Sequence, residues 1–370
     1  MKLLAGRLLT PQGWQQGRLR VDAQGRIAAI EGRPITEAQA RDGDGALLIP
    51  GFIDLHVHGG GGADVMDGGA AIDVLARLHA RHGTTALLAT TMSAPLAEIE
   101  AALHALAPAC RERSAGAARV LGVHLEGPCI SPRRLGAQPD CSAALDAPQV
   151  QALHRIAPLR VFTLAPEVPA YLALLPALLA LGCRVQIGHS DGTYEDACAA
   201  LDAGASGFTH LFNAMSPLHQ RAPGVAGAAL AHAEYAELIP DLLHVHPGAI
   251  RAALRAVPRL YCVSDATAAS GMPDGDYALG RQRVHKCAGG VRLADGTLAG
   301  SALTLDVALR NLVQIGLTLQ EASARLSTHA AAYLGLPDRG ALRVGARADL
   351  VMLDAALAVS GVFIDGEALV

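Results

Sequence analysis

The sequence predicts an α/β protein, a (β/α)8 TIM barrel joined to a small β-sandwich that both termini build. Eight apolar runs of strand length alternate with Ala- and Leu-rich helical stretches in the middle of the chain. Both ends of the chain consist of short strand-like pieces that turns separate. The length of 370 residues suits a barrel of roughly 250 residues together with a smaller unit.

The first 50 residues have the pattern of β-hairpins, with turn sequences between strand-like pieces. These pieces cover 3–9, 14–21, 26–31 and 46–49. The pattern returns near the end of the chain, at 347–354 and 359–364. We therefore expect residues 1–50 and 340–370 to form the small β-sandwich and residues 51–339 to form the barrel.

The eight barrel strands are predicted at 51–58, 85–91, 119–126, 160–165, 184–189, 207–211, 237–245 and 259–265. Helices fit between most of them, at 70–82, 96–110, 169–182, 194–203 and 247–257. Strands that are buried on both faces read as continuous apolar runs, and alternation with helices makes the sheet parallel. An open doubly wound sheet is the alternative, but no G-x-G-x-x-G motif follows the first strand.

Composition excludes several classes of function. The net charge is −4 and the charges are scattered, so the chain has neither a basic face for nucleic acid nor a polybasic membrane anchor. No apolar stretch reaches the ~18 residues of a membrane span. The seven cysteines form no C-x-x-C pair, which favours reduced thiols in a cytoplasmic protein.

Residues of the kind that bind metals stand at the carboxyl ends of five predicted strands. They are His56 and His58 on the first strand, Glu126 on the third, His189 on the fifth, His210 on the sixth and Asp265 on the eighth. Right-handed crossovers bring these strand ends to one face of a barrel. A lone histidine there is usually structural, but the joint occurrence predicts a metal site.

Mixed histidine and carboxylate ligands suit Zn²⁺ or another borderline divalent ion. Such an ion lowers the pKa of a bound water to about 7 and polarises a carbonyl oxygen. A carboxylate beside that water can take its proton and return it to the leaving group. Asp265 is the candidate, because strand eight lies next to strand one in a closed barrel. The predicted reaction is hydrolysis of an amide-like or ester-like bond.

These residues and their neighbours resemble the amidohydrolase superfamily, and within it the N-acetylglucosamine-6-phosphate deacetylase family. The matching segments run through the whole chain, at 50–59, 124–128, 164–167, 188–194, 209–215, 263–266, 298–304 and 345–351. The pair formed by H-L-E-G-P at 124–128 and H-L-F-N-A-M at 210–215 is specific, whereas either motif alone is weaker.

The resemblance implies one divalent ion, most simply Zn²⁺, held by Glu126, His189 and His210. It implies that Asp265 is the catalytic acid and base. The two histidines of strand one, which some family members lack, would hold a second ion together with Asp265 and a bridging Glu126.

The resemblance also implies a set of residues that contact an amino-sugar phosphate. They are Ala137, Gln138, Asn213, Ala214, Arg221 and His244. Arg221 and His244 would bind the phosphate through charge-assisted hydrogen bonds, one of them supplied by the partner subunit of a homodimer. The implied activity is removal of the acetyl group from N-acetylglucosamine 6-phosphate in amino-sugar catabolism.

Two positions depart from the family pattern. The family places a histidine twelve residues after the metal-binding glutamate, where this chain has Gln138, which donates only a neutral hydrogen bond. An oxyanion donor is worth roughly 3–4 kcal/mol, so a weaker donor implies a slower reaction or a different substrate. Leu242 stands where the family has glycine, and its bulk would reshape the phosphate end.

Three functions follow as alternatives from the sequence. The first is the deacetylase just described. The second keeps the chemistry but changes the substrate to the galactosamine epimer, an unphosphorylated sugar or another amide. The third is a non-catalytic sugar-phosphate binder on the same fold, which the complete set of ligand residues disfavours.

Overall fold

The computed structural model describes residues 2–369. The strands are β1 (Lys2–Thr10), β2 (Gly13–Val21), β3 (Ile27–Pro34), β4 (Leu47–Pro50), β5 (Phe52–Val57), β6 (Gly59–Gly60), β7 (Ala63–Asp64), β8 (Thr84–Thr91), β9 (Arg119–Glu126), β10 (Leu159–Leu164), β11 (Arg184–Ile187), β12 (Gly207–Phe208), β13 (Glu237–Leu238), β14 (Tyr261–Cys262), β15 (Gly275–Leu279), β16 (Gln282–Cys287), β17 (Gly290–Arg292), β18 (Leu298–Ser301), β19 (Leu350–Leu353), β20 (Val359–Ile364) and β21 (Glu367–Ala368). The helices are α1 (Glu37–Asp42), α2 (Ala71–Arg81), α3 (Leu96–Arg111), α4 (Ala147–Ile156), α5 (Pro169–Leu172), α6 (Leu175–Ala180), α7 (Tyr194–Asp202), α8 (Gly224–His232), α9 (Pro247–Ala256), α10 (Leu305–Gln314), α11 (Leu319–Leu326) and α12 (Thr328–Tyr333). A 3-10 turn covers Val65–Asp67.

Eight parallel strands form a closed ring. Strands β5, β8, β9, β10, β11 and β12 pair in this order, and β13 pairs with β14. Backbone hydrogen bonds join the two groups on both sides: Leu211 N–H donates to the Glu237 carbonyl oxygen at 2.8 Å, and Asp265 N–H donates to the His56 carbonyl oxygen at 3.0 Å. All eight predicted strands are present, so the predicted barrel is confirmed.

Several elements differ from their predicted bounds. The strands β12, β13 and β14 contain two residues each, and Pro240, which has no backbone N–H, prevents β13 from continuing along the predicted run. The predicted helix at 169–182 is two helices, because Pro176 lies in the first turn of α6, where proline is favoured. Helices α1, α4, α8, α10, α11 and α12 were not predicted. Among the described residues, no helix is long and apolar enough to cross a membrane.

Strands from both termini form one separate sheet of seven strands, in the order β21-β20-β19-β4-β1-β2-β3. Alternate residues of its strands face opposite sides. Leu8 and Leu48 pack in a cluster that belongs to this sheet, whereas Leu9 and Ile49 join the large cluster that includes the barrel. Both chain ends therefore build the expected β unit, whose strands lie in a single sheet. The division of the chain at residues 50 and 340 stays a prediction.

An antiparallel sheet of four strands, β15 to β18, is inserted between β14 and α10. It was not predicted, because its strands are short and carry many exposed polar side chains. Its inner face packs Leu279, Val284 and Val291 against Met92. Met92 follows β8 at the carboxyl face of the barrel, so the insert covers one side of that face.

Candidate metal centre

Three predicted ligands meet at the carboxyl face of the barrel. Glu126 ends β9, while His189 and His210 follow β11 and β12. Glu126 Oε1 lies 3.0 Å from His189 Nε2 and 2.9 Å from His210 Nε2, and the two Nε2 atoms are 3.0 Å apart. Tetrahedral Zn²⁺ with bonds of about 2.0 Å separates its ligands by roughly 3.3 Å. We call this triad the first cation site.

The other oxygen of Glu126 borders a second group of ligands. Its Oε2 lies 3.2 Å from His58 Nε2 and 3.5 Å from His56 Nε2. Asp265 Oδ1 lies 3.3 Å and 3.5 Å from the same two nitrogens, which are 3.2 Å from each other. We call this group the second cation site, and Glu126 is the residue that the two sites share.

Main-chain acceptors orient two of the four imidazoles. His189 Nδ1 donates to the Arg134 carbonyl oxygen at 2.8 Å, and His58 Nδ1 donates to the Thr90 carbonyl oxygen at 3.2 Å. A carbonyl only accepts, so Nδ1 carries a proton, and each Nε2 is the nitrogen that faces the other ligands and can give its lone pair to a bound cation. Such second partners are typical of metal-binding histidines. The donor set of this chain therefore fits a divalent cation.

The charges of the site support the same conclusion. Burial would raise the pKa of Glu126, but the imidazoles of His56 and His189 outweigh it and hold this pKa well below its ordinary value. Burial would also raise the pKa of Asp265, but His56 and His58 lower it to about 2. Conversely, burial would lower the pKa of His58, but its bonds to the two acids raise it to about 9. Both acids are therefore ionised at neutral pH, and a divalent cation can replace imidazole protons as their counter-charge.

The backbone is strained where the ligands sit. His189, His210 and Asp265 adopt φ values of 46°, 29° and 51°, Ala214 in the pocket wall adopts 48°, and Leu242, two residues before His244, adopts 66°. This left-handed region costs a non-glycine residue about 1–2 kcal/mol. Strain of this kind concentrates at functional sites, where the surrounding structure holds the residue in place.

Five of the six predicted substrate residues line one pocket together with ligands of both cation sites. They are Ala137, Gln138, Asn213, Ala214 and His244. The sixth, Arg221, is exposed in the loop at 217–222 and does not line the described pocket. Leu279 and Leu298 of the unpredicted insert complete the wall.

Gln138 is held by two contacts within the site. Its Oε1 accepts the backbone N–H of Ser93 at 2.7 Å, which turns Nε2 toward Glu126 Oε2 at 2.6 Å. The amide thereby orients the shared ligand Glu126. Nε2 carries a second hydrogen that is available to the acetyl oxygen of a substrate. This donation stays a prediction.

His244, which also lines the pocket, is paired with an acid. Its Nδ1 lies 2.7 Å from Asp241 Oδ2. Burial would lower the pKa of His244, but the bond and charge of Asp241 raise it above its ordinary value. A protonated imidazole here favours an anionic group such as a phosphate.

Sequence reasoning missed three residues that support the site. Glu237 opens β13 and bonds a ligand of the second cation site. Glu167 follows β10 and accepts hydrogen bonds from the Ser190 hydroxyl at 2.7 Å and the Asp191 N–H at 2.8 Å, which fixes the loop after β11. The sequence does show an acid beside each of these two apolar strands. A carboxylate there is costly without a partner, so both acids could have been predicted to have one. Ser93 acts through its backbone, so no side-chain signal existed.

Gly127, which follows Glu126, offers a test of this support. Its φ is +81°, and an added Cβ would overlap the Ser93 hydroxyl. We expect Gly127→Ala to cost about 2–4 kcal/mol of stability and to weaken ion binding, because Ser93 orients Gln138 and Gln138 orients Glu126. Gly182→Ala is the matched control, since its φ is +74° and no atom lies within 4 Å of the added Cβ. Equal ion affinity in the two variants, measured by titration with Zn²⁺, would contradict this chain of contacts.

Comparison with known proteins agrees with the motifs. The amidohydrolase family matches residues 47–369. An N-acetylgalactosamine-6-phosphate deacetylase from Escherichia coli is 42% identical over 374 residues, which cover 99% of this chain and 98% of that protein. An N-acetylglucosamine-6-phosphate deacetylase from Vibrio furnissii is 38% identical over 373 residues, which cover 98% and 93% of the two chains.

Solved structures give the same relationship. A mutant N-acetyl-D-glucosamine-6-phosphate deacetylase from Mycobacterium smegmatis, in complex with N-acetyl-D-glucosamine-6-phosphate, matches with a TM-score of 0.91 at 34% identity and covers 100% of this chain and 99% of that one. An N-acetylglucosamine-6-phosphate deacetylase from Thermotoga maritima matches with a TM-score of 0.91 at 30% identity, with the same coverage. These findings confirm the resemblance drawn from the motifs. The chain belongs to the amidohydrolase family.

Proposed function

We propose that the protein is a metal-dependent hydrolase that converts N-acetyl-D-glucosamine 6-phosphate and water to D-glucosamine 6-phosphate and acetate. The observation that carries the proposal is the pair of adjoining cation sites that share Glu126, with Asp265 at their border, on the floor of one pocket. Relatives that carry the same substrate in their names, at 36–40% identity, support the choice of sugar.

Zn²⁺ is the ion that we propose for the first cation site, formed by Glu126, His189 and His210, with room for a second ion at His56 and His58. A bound ion supplies polarisation of the acetyl oxygen and a water of lowered pKa. The ionised carboxylate of Asp265 accepts the proton of the attacking water and returns it to the nitrogen as the amide C–N bond breaks.

The remaining pocket residues position the sugar phosphate. His244, whose pKa is raised beside Asp241, faces the phosphate, while Asn213, Ala214 and Ala137 contact the sugar. The second N–H of Gln138 is available to the acetyl oxygen. Arg221 is exposed, which fits a role in which it reaches the phosphate of the substrate that is bound in the pocket of the partner subunit of a homodimer.

The setting that we propose is amino-sugar catabolism in the cytoplasm. All seven cysteines are free thiols, as is usual in a reducing compartment. Neither a nucleic acid nor a membrane is required as a partner, because the pocket and its charges suit a small sugar phosphate.

The two candidate substrates are epimers of one sugar phosphate, and acetate release from each of them can be compared. The galactosamine epimer is the second candidate, because the relative at 42% identity is an N-acetylgalactosamine-6-phosphate deacetylase. We expect kcat/KM for acetate release to be higher for the glucosamine epimer by about tenfold or more, which corresponds to ~1.4 kcal/mol in the transition state. The reverse ratio would favour the second candidate, and no release from either sugar by Zn²⁺-loaded protein would refute the proposed function.

The phosphate contact is tested by Arg221→Ala. A charge-assisted hydrogen bond is worth about 1.5–3 kcal/mol, so we expect KM for the sugar phosphate to rise about 10- to 100-fold while kcat changes little. Hydrolysis of the unphosphorylated sugar by the same variant is the control and should keep its wild-type kcat/KM. An equal loss with both sugars would exclude a phosphate-specific role for Arg221.

A further inference from the structure

A buried polar layer crosses the barrel beneath the two cation sites. Seven side chains contribute to it, all with no exposed surface, from β5, β9, β10, β11, β13, β14 and the residue after β12. They are His56, His124, Thr163, Gln186, Thr209, Glu237 and Tyr261. Barrel interiors are usually filled by branched apolar side chains, and a buried polar layer is costly unless every group has a partner. We therefore expect these polar side chains to have a function that apolar side chains could not perform.

Glu237 is the only carboxylate of this layer, and its two oxygens have different partners. Its Oε1 accepts hydrogen bonds from Gln186 Nε2 at 3.1 Å and from the Tyr261 hydroxyl at 3.2 Å. Its Oε2 lies 3.0 Å from His56 Nδ1 and 3.4 Å from the backbone nitrogen of His210. One oxygen therefore accepts from an amide and a hydroxyl, while the other oxygen faces the imidazole of His56.

We propose that Glu237 is a positioning residue that fixes His56 in the tautomer whose Nε2 lone pair faces the second cation site. The inference rests on the second ion of the proposed function. An ionised carboxylate only accepts hydrogen bonds, so His56 Nδ1 carries the proton and Nε2 is left free. A carboxylate that orients a histidine in this way also raises its basicity as a ligand. The second cation site thus depends on a residue that does not touch the ion.

The third histidine of the layer does not turn this cluster into a cation site of its own. His124 Nδ1 donates to the Leu55 carbonyl oxygen at 3.1 Å, and its Nε2 lies 2.7 Å from the Thr163 hydroxyl. Both nitrogens are therefore occupied by main-chain and hydroxyl partners, and His124 Nδ1 is 3.9 Å from Glu237 Oε1. Among the described residues, His56 is therefore the imidazole that forms a hydrogen bond with Glu237.

Glu237→Gln tests the proposal, because it keeps the shape of the side chain and removes its charge. Apoprotein is titrated with Zn²⁺, and bound zinc is counted by elemental analysis. We expect affinity at the second site to fall about 10- to 100-fold and affinity at the first site to change less than about threefold. Tyr261→Phe is the matched control, since it removes a hydrogen bond from the same carboxylate without touching His56. It should lower the melting temperature while leaving both zinc affinities near wild type.

The outcomes separate the two proposals. Two zinc ions in the wild type, with the second selectively weakened in Glu237→Gln, would support the role of Glu237. Two ions with unchanged affinities in Glu237→Gln, or an equal loss in Tyr261→Phe, would overturn that role and leave the proposed function intact. One ion in the wild type would overturn both the second ion and the role of Glu237, and a third ion would assign Glu237 to a cation site instead.

Discussion

Replacement of Asp265 by asparagine is expected to lower kcat for acetate release by about 10²- to 10⁴-fold, the range that general acid–base catalysis contributes. The carboxylate is ionised in the folded protein, since His56 and His58 lower its pKa to about 2. It can therefore accept a proton from water, whereas the amide of asparagine cannot. The ion at the first cation site should stay bound, because Asp265 is not one of its ligands.

Asp306→Asn is the matched control for this substitution. Asp306 is as buried as Asp265, with 7% of each residue exposed, but it pairs with His82 and Arg310 away from the pocket. Asp306→Asn should keep the wild-type kcat even if the protein melts at a lower temperature. Wild-type turnover by Asp265→Asn would exclude the assigned role of Asp265.

Glu126→Gln is expected to remove both ions, because one oxygen of Glu126 faces each cation site. We expect the affinity for Zn²⁺ to fall at least about 100-fold, since a direct ligand is worth no less than an outer partner. Loss of an ion that provides several kcal/mol of transition-state stabilisation should lower kcat/KM by more than about 10³-fold.

Elemental analysis and acetate release measure these two effects on the same preparations. Glu98→Gln is the control, because Glu98 is exposed and pairs with Arg281 outside the pocket. It should keep the zinc content and the activity of the wild type. A Glu126→Gln protein with full zinc content would show that the ions bind elsewhere.

The barrel was predictable because its strands lie within apolar runs that alternate with helical stretches. Its ligands were predictable because they stand at strand ends, which a parallel barrel collects at one face. This rule alone was enough to predict Glu126 and the histidines as ligands. This rule does not cover Glu237, which stands at the start of a strand. Nothing local shows that its oxygen reaches His56 across the barrel, 181 positions away in sequence.

Other features depend on contacts that sequence patterns do not contain. The insert of strands β15 to β18 supplies Leu279 to the pocket wall, but its short polar strands lack an apolar run. The orientation of Gln138 depends on a main-chain N–H of Ser93, 45 residues away. These parts of the site follow from how loops pack on the barrel and not from periodicity.

Glu126, His189 and His210 are expected to bind one divalent ion together. Anomalous diffraction from crystals grown with Zn²⁺ tests this expectation most directly. We expect a zinc peak about 2.0–2.2 Å from Glu126 Oε1 and from the Nε2 atoms of His189 and His210. A zinc-loaded, active crystal with no peak between these three atoms would contradict it.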